Sequence, residues 1–255
     1  MNYFDVHDPY TPPEPYRSKY ASVPNPGGLI NGFMERYSPS LTPEQIESEL
    51  DAYDGAISYV DDQIGVLFSE LSGRGLLDNT VVIITSDHGE SFGEHGILQH
   101  SASLYIDEIH VPLIVWGPNH DVQSGKVIDT PVTLTALPST VLSLIGSSED
   151  PFPGPSLTVL MSSDEVPSDW PDPIAELAQM NGAAEVNPST HGAMKSVVGN
   201  EEQYITHEKF GEELYNWRKD PQETNNLISD PASQTVVEAF RDYLENLIGE
   251  IFRSP

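Results

Sequence analysis

Asp87 and His88 fall within the stretch TSDHGESFGEHG, residues 85–96, where three acids, two histidines and three glycines crowd together. A carboxylate oxygen beside a neutral imidazole nitrogen suits one divalent cation. Gly89, next to the pair, permits a close backbone approach. The plainer alternative is that Asp87 merely caps a turn. Glu90, Glu94 and His95 follow in the same loop and are read as shaping it. A zinc cluster of His88, His95 and His100 can be drawn, but it lacks the usual ligand spacing, and polar surface text is the simpler reading. Near the amino terminus, FDVHDPYTPP carries Asp5, His7 and Asp8 among aromatic residues and prolines. A loop histidine is ordinarily solvated, although a frame of prolines stiffens the loop that holds His7.

The elements that must position these residues are legible. NTVVIITS, residues 79–86, is β-branched and apolar on both faces, which predicts a central strand covered by helices on either side. Asp87 and His88 then stand just beyond its carboxyl end, where open α/β sheets collect ligands. A long amphipathic helix precedes it. Thr42, Pro43 and Gln45 supply hydroxyl cap, first-turn proline and capping-box partner, and SGRG stops the helix near Gly73. Ile46, Leu50, Tyr53, Ile57, Val60, Ile64, Leu67 and Leu71 form its apolar stripe, with Glu49 and Asp51 among the acids off it.

Downstream, HVPLIVWGP at 110–118 reads as a second strand and TPVTLTALPSTVLSLIG as a further helix. Alternating strands and helices predict an α/β fold with a mostly parallel sheet flanked by helices. Residues 1–150 are taken as this α/β region and 151–190, rich in proline, serine and acids, as a loop-rich connection. Residues 191–255 are taken as a small antiparallel subdomain of two or three strands with a closing helix from ASQTVVEAFRDYLENLIGEIF. The first forty residues, rich in proline, glycine and aromatics, suit an extended segment laid over a surface.

Forty acidic residues against 11 basic ones give a formal charge of −29, which repels nucleic acid. With 38% hydrophobic residues and clear periodicity, disorder does not explain that charge, and a surface solvated in concentrated salt does. A halophilic host is the expectation. The chain contains no cysteine, so disulfides and thiolate metal sites are excluded within it. No apolar run is long enough to span a bilayer and no secretory pattern opens the chain, which as written reads as cytoplasmic, with no membrane partner.

Taken in order, FDVHDPYTPP, YDGAISYVDDQIGVL, NTVVIITSDHGESFGEHG, HSASLYIDEIHVPLIVWGP and EELYNWRKDPQETNNL resemble successive blocks of the type I sulfatases, in the alkaline phosphatase superfamily. The resemblance covers almost the whole chain and implies an alkaline-phosphatase-like fold. It implies hydrolysis of a small-molecule sulfate ester with one divalent cation, calcium first, manganese or magnesium as alternatives. Asp87 matches a ligand of that cation. His88 occupies the neighbouring ligand position, where many sulfatases have asparagine, and so resembles the choline-sulfatase and phosphonate-monoester-hydrolase branch. A phosphodiester or phosphonate monoester is therefore the alternative substrate. His7 matches the histidine that contacts the sulfate or leaving group, and His100 lies where relatives stabilise the bridging oxygen.

The family's paired aspartates and the C/S-x-P-S-R stretch that yields the formylglycine nucleophile find no match here. SVPNPGG, residues 22–28, does not supply it. The chain reads as the carboxyl-terminal portion of a sulfatase, with the amino-terminal part of the fold missing. A truncated or split gene, a start assigned to an internal Met1, or a subunit completed by an amino-terminal polypeptide would each account for this, and so would a non-catalytic remnant. The complete protein could be secreted. No turnover is expected of the chain alone.

Overall fold

The computed structural model describes residues 1–30, 41–117, 123–182 and 184–249. Its elements in chain order are helix α1 (Pro43–Gly73), strands β1 (Val82–Thr85), β2 (Ser91–Phe92) and β3 (Leu98–Gln99), helix α2 (Ile106–Ile109), strand β4 (Leu113–Trp116), helices α3 (Leu137–Leu144) and α4 (Thr158–Ser162), strand β5 (Ile174–Leu177), helix α5 (Pro188–His191), strands β6 (Met194–Val198), β7 (Gln203–His207) and β8 (Gly211–Tyr215), and helix α6 (Gln234–Ile248). Pro118 at the end of the second expected strand, residues 31–40 of the opening segment and positions 250–252 of the expected closing helix lie outside the described residues.

Helix α1 begins as the sequence dictates. The Thr42 side chain accepts from the Gln45 amide, and the Gln45 side chain reaches back to the Thr42 amide. Its deepest face, however, is not the apolar stripe. Ser48, Glu49, Asp51, Ala52, Gly55 and Ala56 are the buried residues, whereas Ile57 is exposed. The opening segment causes this by lying directly on that face. A Cβ on Gly55 would come within 2.5 Å of the Tyr16 carbonyl oxygen, and one on Gly27 within 2.4 Å of the Ala52 Cβ. Glu49 accepts from the Leu29 amide at 2.8 Å and Asp51 from the Ser22 amide at 2.7 Å. These acids satisfy backbone donors that burial would otherwise strand.

Strand pairing differs from the parallel expectation. Among the described residues β1 pairs with β4, antiparallel, in the register Val82↔Trp116 to Thr85↔Leu113. A parallel neighbour needs a crossover that returns the chain to the starting end of the first strand. Here the connection instead stays beyond the carboxyl end of β1, folding into the β2–β3 hairpin and the single turn of α2, so β4 runs back down. Nor are both faces of this pair covered. Leu113 and Val115 pack with Ala136, Leu157 and Met161, but Ile114 is 54% exposed.

The carboxyl-terminal antiparallel sheet is present with four strands, in the order β5-β6-β7-β8. Its first strand comes from the segment read as a loop-rich connection. One face packs Val197, Tyr204 and Leu214 against Val237, Phe240 and Leu244 of α6. The other packs Met194, Ile205 and Tyr215 against Ile97, Ala102, Leu104 and Tyr105. With both faces covered, every residue of β7 is buried. The sheet thereby backs the loop that follows β1, which is its contribution to the site.

Candidate active site

The turn after β1 is clamped from α2. The Gly89 amide donates to the Glu108 carbonyl at 2.7 Å and the Glu90 amide to the Asp107 carbonyl at 3.1 Å. A Cβ at position 89 would lie 2.0 Å from the Asp107 oxygen, so glycine is required by the approach itself. Helix α2 is in turn pinned at both ends. The buried Glu108 carboxylate accepts from the Ala102 amide at 3.1 Å and the Ser103 hydroxyl at 2.7 Å. Glu223, from the carboxyl-terminal region, accepts from the Ile106 amide at 2.8 Å.

Next comes the β2–β3 hairpin, turned by Gly93, His95 and Gly96 at positive φ. Glu94 closes it by accepting from the Phe92 amide. Its register, Ser91↔Gln99, brings Glu90 and His100 opposite one another. The His100 Nδ1 donates to Glu90 Oε1 at 3.0 Å, and this bond, ahead of the opposing effect of burial, raises the imidazole above its ordinary value. His95 lies apart, stacked on Tyr105, so no grouping of His88, His95 and His100 forms.

His7 arrives from the opening segment, anchored by Tyr10 in a cluster with Ile30, Ala52 and Leu98. Asp8 is buried beneath it, accepting from Gln99 at 2.9 Å. The three imidazoles then meet. His88 stacks on His100 with ring centroids 4.1 Å apart, and His7 meets His100 edge-on at 5.1 Å. The Nδ1 of His7 donates to the Asp8 carbonyl at 2.8 Å and that of His88 to the Gly89 carbonyl at 2.8 Å. All three rings therefore have Nδ1 engaged, leaving Nε2 as the nitrogen available to a ligand.

Asp87 is 90% exposed in its side chain, and its Oδ1 stands 3.9 Å from His88 Nε2. Donors sharing a cation at its usual bond lengths are separated by about 3–4 Å, so the pair fits two positions on one divalent ion. Among the described residues no group of three or more histidine, cysteine, aspartate or glutamate side chains is set to hold a metal. Both residues also line a cavity of about 740 Å³ bounded by His110, Ile128, Pro173 and Trp217.

The structure thus brings His7, His88 and His100 together beside Asp87. It sets two acids behind these rings, Glu90 behind His100 and Asp8 behind His7, pairings that the sequence had not assigned. The signal for Glu90 was the hairpin register, recoverable only once β2 and β3 are recognised as strands despite their two-residue lengths.

Comparison with known proteins places the chain in a family. The sulfatase family model matches residues 3–147. The chain is 28% identical to the uncharacterized sulfatase YidJ of Escherichia coli strain K12, covering 100% of this chain and 52% of that protein. It is 25% identical to an ulvan-active sulfatase of Formosa agariphila, covering 96% and 47% respectively. It thus spans about half the length of these curated relatives. Its fold matches the phosphonate monoester hydrolase of Agrobacterium radiobacter with a TM-score of 0.79 at 23% identity, over 94% of this chain and 54% of that one. The fold is accordingly alkaline-phosphatase-like, and by the family match over most of its length the chain belongs to the sulfatase family.

Proposed function

We propose that the chain serves hydrolysis of a small-molecule sulfate ester, with Asp87 and His88 as two ligands of one divalent cation, calcium foremost and manganese or magnesium as alternatives, and His7 and His100 facing the ester. The observation that carries this reading is the set of three imidazoles held by Nδ1 beside Asp87 at the end of β1. When bound, the cation would polarise the ester and offset charge on its oxygens. His88, its Nδ1 committed to the Gly89 carbonyl, offers a neutral Nε2 lone pair to that ion. His100, held by Glu90 and raised in proton affinity, is suited to protonate the departing oxygen. His7 faces the same space and, as an imidazolium, can donate from Nε2 to an ester oxygen.

The nucleophile and the remaining metal ligands are assigned to a segment outside these 255 residues, in a longer chain or a complementary amino-terminal polypeptide. Support comes from the two-ligand metal pair and the half-open β1–β4 sheet, with Ile114 bare on one face. The test is to assay 4-nitrophenyl sulfate with the chain alone and with that segment restored, in calcium. Turnover only in the restored protein supports the reading, and turnover by the isolated chain overturns it. His88, standing where many sulfatases have asparagine, favours a second reading, phosphodiester or phosphonate monoester hydrolysis. Parallel assays with 4-nitrophenyl phenylphosphonate decide between the two.

A further inference from the structure

The three Nδ1 tethers are not equivalent. His88 uses the Gly89 carbonyl, and His7 uses the Asp8 carbonyl at 2.8 Å with the Asp8 carboxylate also 2.7 Å from the same nitrogen, so both partners come from the residue next in sequence. His100 has no such carbonyl partner and uses a side chain ten positions earlier, Glu90, across the hairpin. The Glu90 side chain is only 5% exposed and its amide is fixed to the Asp107 carbonyl, so this carboxylate is held by the same clamp that sets the Asp87–His88 turn.

We infer that Glu90 is a positioning residue, which accepts the Nδ1–H of His100 and so turns Nε2 toward the reacting group, where it carries the second proton when the ring is charged. The inference rests on the proposed function for its purpose, but not for its geometry. His100 is the central ring of the three, stacked on His88 on one side and meeting His7 on the other. A rotation of that ring about its Cβ–Cγ bond would exchange the nitrogen facing the site for a carbon, and the Glu90 hydrogen bond opposes it. Ordinary burial of an acid would also be satisfied by a hydrogen bond, yet it would give no preference for a ring that itself lies in the site. The turn requirement reinforces the assignment, because Gly89 brings the backbone close enough to α2 to set where the next side chain starts.

The imidazole nitrogens of the 255-residue chain, labelled with nitrogen-15, report this directly in long-range proton–nitrogen spectra at alkaline pH, with His100 identified by its loss in His100→Asn. We expect the neutral His100 ring to carry its proton on Nδ1 in the native chain and in Glu90→Gln, whose amide oxygen can accept in the same place. In Glu90→Ala the proton should move to Nε2, while the signals of His95 and His207 stay put and show that the fold is kept. A native His100 protonated on Nε2 overturns the inference without any variant, and so does an Nδ1 proton that survives in Glu90→Ala. In the restored enzyme, Glu90→Ala should lower kcat by about 10–100-fold at unchanged KM, with Glu90→Gln recovering most of it. Equal losses in the two variants, or a loss confined to KM, count against the positioning role. If the chain takes no part in ester hydrolysis, the turnover experiment fails while the nitrogen spectra still decide the geometry.

Discussion

His88 and His100 stack with their planes 25° apart, although one follows β1 and the other ends the β2–β3 hairpin. The contact exists because the hairpin folds back over the strand-end turn and α2 clamps that turn from beneath. One loop between β1 and β4 therefore supplies Asp87, His88, Glu90 and His100, and the opening segment adds His7.

Gly89→Ala should break this arrangement first. A methyl group 2.0 Å from the Asp107 oxygen cannot be accommodated by a side-chain shift, since the opposing atom is backbone. Destabilisation of about 1–3 kcal/mol is expected, read as a lower urea midpoint with an unchanged slope. An unchanged midpoint would mean that the clamp is looser than its hydrogen bonds indicate.

Stability should fall as pH rises from about 4.5 to about 8. Burial raises Glu223 to about 8 and Glu108 to about 7, above the 4.5 of an exposed glutamate. Between these values the folded chain keeps protons that the unfolded chain has released, so the stabilisation is complete below about pH 4.5 and is lost as pH rises through about 8. Thermal midpoints across that range should decline. Other carboxylates contribute through net charge, so the diagnostic comparison is Glu223→Gln, which should flatten the decline. An equally steep decline in that variant would remove Glu223 as its source.

The pair behind α6 should matter for stability alone. Arg241 grips the buried Glu212 through two hydrogen bonds, of 2.5 and 2.7 Å, and Tyr204 also donates to that carboxylate. Arg241→Met should cost about 2–3 kcal/mol, less than a fully buried pair because the guanidinium is a quarter exposed. Combining it with Glu212→Gln should recover part of the loss in a double-mutant cycle, and strict additivity would deny the coupling.

Potassium chloride should raise the thermal midpoint. A chain with 40 acids and 11 bases repels itself, and salt shortens the range of that repulsion. A midpoint independent of salt up to molar concentrations would leave the acidic surface without this explanation.

Much of this was legible in the text. The Thr42–Gln45 capping box, the end of α1 near Gly73 and the placement of Asp87 and His88 after an apolar strand all follow from local chemistry. What escaped was set by tertiary contact. Glu49 and Asp51 look like solvent-facing helix acids until the opening segment brings the Leu29 and Ser22 amides to them. The antiparallel direction of β4 depends on where the intervening loop goes, which periodicity does not record. Strand β5 was hidden among prolines, and its place in the sheet comes from pairing with β6. Glu90 was taken for a loop-shaping acid because its partner His100 is reached only across a hairpin.

The account turns on Asp87 as a ligand of a working cation. Its most direct test is 4-nitrophenyl sulfate turnover by the restored protein, native and Asp87→Ala, in calcium and after chelation. Turnover should be abolished by chelation, returned by calcium, and reduced by on the order of 100-fold or more in Asp87→Ala. Turnover that survives chelation or persists in Asp87→Ala would contradict it.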